Sequence, residues 1–138
     1  QTCALPISCT ASNSANGDFA GYGSYIASKI AIVGIVKAAA IEYAARGIRV
    51  NCICPNTIDT PMAYAEGCET ELLVVGAITP LGRMCYPEEA AALFYFLACD
   101  DCRYITGEDI YIDGGVKAGH PVKAMDCILK AVEMESGV

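Results

Sequence analysis

The 138-residue sequence is 54% hydrophobic and 18% charged, enough apolar material for one core of ordinary domain size. A formal net charge of −7 and a pI near 4.5 supply no basic stripe for a phosphate backbone and no polybasic patch for anionic lipid, which argues against nucleic-acid and membrane partners. The apolar residues come in short blocks, none reaching the ~20 uninterrupted residues of a membrane span, so a soluble protein is expected.

The chain opens on Gln1-Thr2-Cys3-Ala4-Leu5-Pro6-Ile7, without an initiator methionine, and this heptapeptide matches the translation of a common sequencing-library adapter. Residues 1–8 are therefore set aside as a scar, and the natural sequence is expected to begin near Ser8 or Cys9. The competing reading makes residues 4–8 a strand, for which they are apolar enough. Residues 9–24 are rich in Ser, Asn, Gly and Ala, with Asn16-Gly17-Asp18 as a turn signal, and read as a loop after a truncated strand.

Over residues 25–46, Ile26, Ile30, Val33, Val36, Ala40 and Tyr43 recur at helical spacing and Gly47 supplies a stop, which predicts a long, largely buried helix. Ile48-Arg-Val-Asn-Cys-Ile-Cys54, ended by Pro55, reads as a strand inside a parallel sheet. Residues 61–80 are mixed and Gly-punctuated, a lid or insertion with a helical piece over 69–75. Pro87 with Glu88 and Glu89 in the first turn, followed by Ala91, Leu93, Phe94, Phe96 and Leu97, marks a second helix. Asp109-Ile-Tyr-Ile-Asp113 before Gly114-Gly115 is a second strand. Helix, strand, helix, strand is the order of an α/β layered sheet with crossover connections. In the tail, residues 117–138, Val122, Met125, Ile128, Leu129 and Val132 form an apolar stripe on a helix, suited to packing on the body or on a partner subunit.

Nine cysteines include Cys52-x-Cys54 and Cys99-Asp-Asp-Cys102. A structural zinc site wants two such pairs or a pair with spaced histidines, and the single histidine is His120, so no metal site is expected. Cys52 and Cys54 alternate along an apolar run and read as small core hydrophobes. Unpaired thiols without a signal peptide favour a reducing, cytoplasmic compartment.

Tyr25 and Lys29 lie four apart at the start of the long helix and share one face. A free phenol is a poor base near neutral pH, and an adjacent ammonium favours its ionised form, so Lys29 is placed to prime Tyr25. Ser12, thirteen residues before Tyr25, sits where its hydroxyl could bond the oxygen of a carbonyl or alcohol. Alone, this spacing is weak, because Tyr and Lys stand four apart on many solvated helices.

The features around the pair carry more. Ser12, Tyr25-Ile-Ala-Ser-Lys29, Arg46-Gly-Ile-Arg-Val-Asn-Cys-Ile-Cys-Pro55, Thr57-Ile-Asp-Thr-Pro-Met62, Pro80-Leu-Gly-Arg83, Pro87-Glu-Glu89, Ile105-Thr-Gly107 and Asp113-Gly-Gly115 follow in order. In these the sequence resembles the classical short-chain dehydrogenase/reductase family from about Cys9 to Val116. The resemblance implies the C-terminal part of a Rossmann-like, doubly wound parallel sheet, residues 9–116, with residues 61–80 as substrate lid and the N-terminal βαβ units missing.

It further implies Tyr25 as acid/base, Lys29 as the group that assists it and holds the nicotinamide ribose, and Ser12 as the group that orients the substrate oxygen, with Ser14 as runner-up. Pro55, Asn56, Ile58 and Thr60 would line the nicotinamide side, Ile58 through its backbone and Thr60 through its side chain. The family carries glycine where this chain has Asn56, a residue that tolerates a left-handed backbone better than most. Asp113-Gly-Gly115 reads as structural, closing the last strand.

The Gly-rich phosphate loop, the adenine-ribose selector and an upstream catalytic asparagine have no counterpart, and Gly21-x-Gly23 is no substitute. The expectation is a fragment of an NAD- or NADP-dependent oxidoreductase acting on a secondary alcohol or ketone, inactive by itself. A 3-ketoacyl-carrier-protein reductase is the close alternative, and an assembly module without catalysis is the alternative of another class. The resemblance also implies a homodimer or homotetramer through the helix over residues 25–46.

Overall fold

Along one strand, β2 (Ile48–Pro55), Val50, Cys52 and Cys54 alternate with Asn51 and Ile53, and the period of two sends the sets to opposite faces. Cys52, Ile53 and Cys54 are all 0% exposed, as a strand covered on both faces must be. In this computed structural model, which describes residues 5–16, 20–65, 68–119 and 121–136, β2 is the middle of a three-stranded parallel sheet. β1 (Leu5–Thr10) pairs on one side, with Cys9 opposite Cys52, and β3 (Asp109–Ile112) on the other, with Ile110 opposite Ile53. The turn residues Gly17 and Asp18, His120 and residues 1–4 lie outside the described residues.

Helix α1 (Gly23–Tyr43) covers the face of Val50, Cys52 and Cys54 through Val36 and Ala40. Helix α3 (Pro87–Ala98) covers the other, where Leu97 and Cys102 pack on Ile53. The result is the α/β layered sheet with parallel strands that the sequence predicts, a partial Rossmann-like fold. The cysteines of the central strand are core residues, and burial pushes the Cys52 thiol up to about 12 and raises that of Cys54 as well. Cys102, of the second pair, is buried with its thiol bonded to the Phe96 carbonyl.

Residues 5–8 form most of β1 and run in register with Ile48 to Asn51, and the strand extends through Cys9 to Thr10, into the segment read as a loop. One further expectation is corrected. The helix read as largely buried is largely exposed: Ile30, Ile35 and Ile41 are 50%, 67% and 83% accessible. α1 is apolar around its whole circumference, and lying on a sheet buries only one stripe of it. The 24-residue stretch Gly23–Arg46 is also long and apolar enough, by length and composition, to cross a bilayer, which a count of uninterrupted blocks misses; here it lies against the sheet.

The helix ends as predicted. After a 3-10 turn over Ala44–Arg46, Gly47 takes φ 73°, a left-handed conformation that suits glycine, and donates its N–H to the Ala44 carbonyl. At the start of α3, Pro87 occupies the first turn and Glu89 accepts the Tyr86 N–H at 2.8 Å while its two carboxylate oxygens accept one hydrogen bond each from the Arg83 guanidinium, both at 2.7 Å. On the α3 face of β2, buried Arg49 donates to the carbonyls of Leu97, Cys99 and Ile105, which neutralises the negative end of that helix.

The lid contains a 3-10 turn, Pro61–Tyr64, and helix α2 (Glu69–Ile78). The tail forms α4 (Val122–Ser136), which touches α2 and buries Ala124. Its apolar stripe, expected to pack on the body or a partner, is exposed in the single chain.

Candidate active site

Because β1 and β2 are parallel, their carboxyl ends lie at the same edge, and the chain leaving each one bounds a common cleft of about 460 Å³. From β1 come Ser12 and Ser14, from the first two turns of α1 come Tyr25 and Lys29, and from β2 and its exit come Pro55, Asn56, Ile58 and Thr60. Every site residue proposed from sequence therefore lines one space, although the residues are up to 48 positions apart.

Ser12 is buried, and its Oγ accepts the Ser14 N–H at 3.1 Å. An oxygen that already accepts keeps its own proton to donate, which suits Ser12 for a substrate oxygen. Tyr25 is 43% exposed, with its ring edge-on to Tyr22 at 6.4 Å and 82°. The Lys29 ammonium stands 5.5 Å from the centre of the Tyr25 ring and donates to the Thr10 carbonyl at 3.4 Å.

On the β2 side, Thr60 Oγ1 donates to the Ile58 carbonyl at 3.4 Å, and the backbone at Ile58 bridges to Cys85. Asn56 does not take the left-handed backbone considered for it, since among the described residues positive φ occurs only at glycines. Its side chain instead donates to Thr79 Oγ1 at 3.1 Å, and Thr79 passes the chain on to the Val75 carbonyl at 2.6 Å. This fixes the exit of β2 to the end of α2. Asp113 is structural, as read: its carboxylate accepts the N–H groups of Gly115 at 2.9 Å and Lys117 at 2.8 Å.

Sequence reasoning missed part of the lining. Tyr22 and Thr57 line the cleft, as do Ala63, Cys68 and Val75, and the lid residues Met62 and Leu72 had no role. The spacing of Tyr22 and Tyr25, one helical turn, was a usable signal. The lid residues carried none, because only the fold folds α2 over the strand ends.

A parallel sheet with helices on both faces and a cleft outside the carboxyl ends of its strands defines a protein of Rossmann-like α/β architecture. A family model described as Enoyl-(Acyl carrier protein) reductase matches residues 6–117. An oxidoreductase of Bacillus subtilis, YxbG, is 46% identical over 102 residues, covering 68% of this chain and 37% of its own. A short-chain dehydrogenase/reductase structure from Mycobacterium marinum superposes with a TM-score of 0.74 at 38% identity, over 80% of this chain and 44% of its own. A structure from Beutenbergia cavernae, assigned as an NAD(P)-dependent gluconate 5-dehydrogenase and holding NADP at low occupancy, gives a TM-score of 0.77 at 33% identity, over 83% and 46%. The chain belongs to the short-chain dehydrogenase/reductase family. It spans 34%, 37% and 39% of the length of three curated relatives.

Proposed function

We propose that this chain carries the proton-transfer side of the active site of an NAD- or NADP-dependent oxidoreductase acting on a secondary alcohol or ketone. The observation that carries the reading is the convergence of Ser12, Tyr25 and Lys29, with the residues 55–60, on one cleft. The donor set fits the nicotinamide end of such a cofactor: an ammonium, a phenol, the hydroxyls of Ser12, Thr57 and Thr60 and the irregular backbone after β2 offer hydrogen bonds to a ribose and a carboxamide. The nicotinamide, when bound, gives or takes the hydride.

Tyr25 works as acid and base. In oxidation its ionised phenol takes the alcohol's hydroxyl proton as the carbinol C–H bond breaks and its electron pair leaves as hydride; in reduction it returns that proton to the carbonyl oxygen. Lys29, over the ring, attracts the negative charge on the phenol oxygen and offers its remaining N–H groups to the ribose. Ser12 donates to the reacting oxygen and steadies the charge that develops there. Pro55, Asn56, Ile58 and Thr60, which line the same cleft, would hold the nicotinamide face of a bound cofactor.

Carrier-bound acyl substrates form a second reading, favoured by the acyl-carrier description of the matching family model. The exposed Ile30, Ile35 and Ile41 of α1 support pairing of two copies through residues 25–46. The free thiols of the described cysteines support a reducing, cytoplasmic location.

The test is Tyr25→Phe in an enzyme of the relatives' length: turnover should vanish while NAD(P) binding persists, and retained turnover removes Tyr25 from its role. The 138-residue chain alone, which contains no Gly-rich phosphate loop, should show no turnover with NADH or NADPH. Turnover by it would overturn that expectation.

A further inference from the structure

Helix α4 lies beyond residues 6–117, the part that matches the family model, so the shared fold assigns its apolar stripe no cover. Buried Ala124 and contact with α2 hold the helix to the body. Val122, Met125, Ile128, Leu129 and Val132 are each at least half exposed. A contiguous apolar stripe of this kind marks an interaction surface.

Two patterns along α4 say what fits it. Val122, Met125, Leu129 and Val132 recur at intervals of three, four and three residues, a stripe that reads the same from either end. One position on, Lys123, Asp126, Lys130 and Glu133 repeat those intervals as a flanking stripe whose signs alternate, so reversing the helix exchanges cation for anion. Such a helix is complementary to its own reverse. In a two-fold antiparallel pair like flanks meet, which sets Val122 and Met125 beside Val132 and Leu129 of the second copy and Asp126 within a turn of its Lys130. In a parallel pair opposite flanks meet, and the charged stripe would face Ile128, Ala131 and Glu135, with no cation to answer its acids. A bilayer surface would favour lysines on the polar face, whereas Asp126, Glu133 and Glu135 outnumber Lys123 and Lys130 on a chain of net charge −7.

We propose that α4 is a docking surface for a second copy of this chain, paired antiparallel, with Val122, Met125, Leu129 and Val132 as the seam and Asp126 to Lys130 as the ion pair at its rim. The contact is separate from pairing through residues 25–46 and does not depend on it. A 15-residue helix supplies fewer than the ~20–30 residues a side of a standard interface, so the association is reversible and rises with concentration.

The experiment is sedimentation equilibrium of the 138-residue chain over a range of concentrations. Leu129→Asp, at a position 54% exposed, puts a carboxylate into the seam of both copies and should weaken association about tenfold or more. Asp126→Lys and Lys130→Asp should each weaken it about threefold or more, because like charges then meet across the pair. Mixed in equal amounts, these two variants should associate to within about twofold of the unaltered chain, since each supplies the charge the other lacks. Association that is absent, or unchanged by Leu129→Asp, overturns the proposal. So does a mixture no stronger than its components, which traces their loss to fraying of α4 within one chain. Pelleting of the unaltered chain, and not of Leu129→Asp, with vesicles of phosphatidylcholine and phosphatidylglycerol assigns the stripe to a bilayer and overturns it as well. A copy number fixed through residues 25–46 shifts every sample alike and leaves these comparisons intact.

Discussion

Lys29 joins two elements at once: its ammonium lies 5.5 Å from the centre of the Tyr25 ring on its own helix and 3.4 Å from the carbonyl of Thr10 at the end of β1. The start of α1, with Tyr25 and Lys29, is thereby held to the strand end that presents Ser12. In an enzyme of the relatives' length, Lys29→Met should lower turnover by about 10²–10⁴, the usual worth of a group in acid–base catalysis. Tyr25→Phe should lower it as much or more without moving the melting temperature, since the Lys29 bond to Thr10 survives. Steady-state kinetics beside thermal melts separates the two; equal melting losses would mean that the pair is structural.

Gly114 predicts a steric effect. Its φ is +63°, and a Cβ built there would stand 2.7 Å from Cγ2 of Thr79. Gly114→Ala should destabilise the chain by about 2–4 kcal/mol, combining left-handed strain with a contact that must open. Thr79→Ser removes that methyl while keeping the oxygen that serves Asn56 and Val75, so the double variant should recover about half of the loss. Urea midpoints of the four proteins measure the coupling, and simple additivity would refute the contact.

Glu89 predicts a pH dependence. The Arg83 guanidinium and then the Tyr86 N–H hold its carboxyl at about 2, below the ordinary 4.5. A carboxyl depressed on folding stabilises the native state above its unfolded value, and that contribution is lost as pH falls through the folded one. The gain is therefore complete above about 4.5 and disappears on the way down to about 2. The pair is exposed, so the effect is small and should shrink with salt. Glu89→Gln should flatten the fall in melting temperature over this interval; an unchanged slope would assign it to other carboxylates.

Arg49 is buried with its guanidinium on three carbonyls, at 2.8 Å from Leu97, 3.3 Å from Ile105 and 3.4 Å from Cys99. Arg49→Leu leaves those acceptors without their donor and should cost about 2–4 kcal/mol. Arg49→Lys should cost less, because an ammonium still reaches the nearest carbonyl. Urea unfolding at unchanged slope is the readout, and a neutral Arg49→Leu would show that water takes over the bonds.

Much of the architecture was legible because punctuation and periodicity agreed. Gly47 ends α1, Pro87 opens α3, and the apolar run from Ile48 to Pro55 is what a strand covered on both faces requires. The burial of α1 was not legible, since a helix apolar all round does not reveal which stripe packs. Nor was the place of residues 5–8, whose apolar character was read but assigned to an artefact of origin, while their pairing with Ile48 to Asn51 depends on a partner strand 43 positions away. Of the cleft, the lining by Ser12, Tyr25, Lys29, Pro55, Asn56, Ile58 and Thr60 was anticipated from motif order. The lid side was not, because Met62, Leu72 and Val75 acquire meaning only when α2 folds over the strand ends. The role of Arg49 had a signal that went unread: a cation inside a strand expected to be buried must find acceptors.

The two thiols of the central strand also make the sheet a clock. Alkylating reagents attack thiolates, and Cys52 and Cys54, with no exposed surface and burial holding them protonated, are protected while α1 stays packed on β2. Cys127, exposed on α4, reacts at once and marks the zero of time. Each later label on Cys52 or Cys54 then records one event in which the α1 face of the central strand was uncovered, so the pace of labelling reads out the lifetime of the helix-on-sheet core without any added probe.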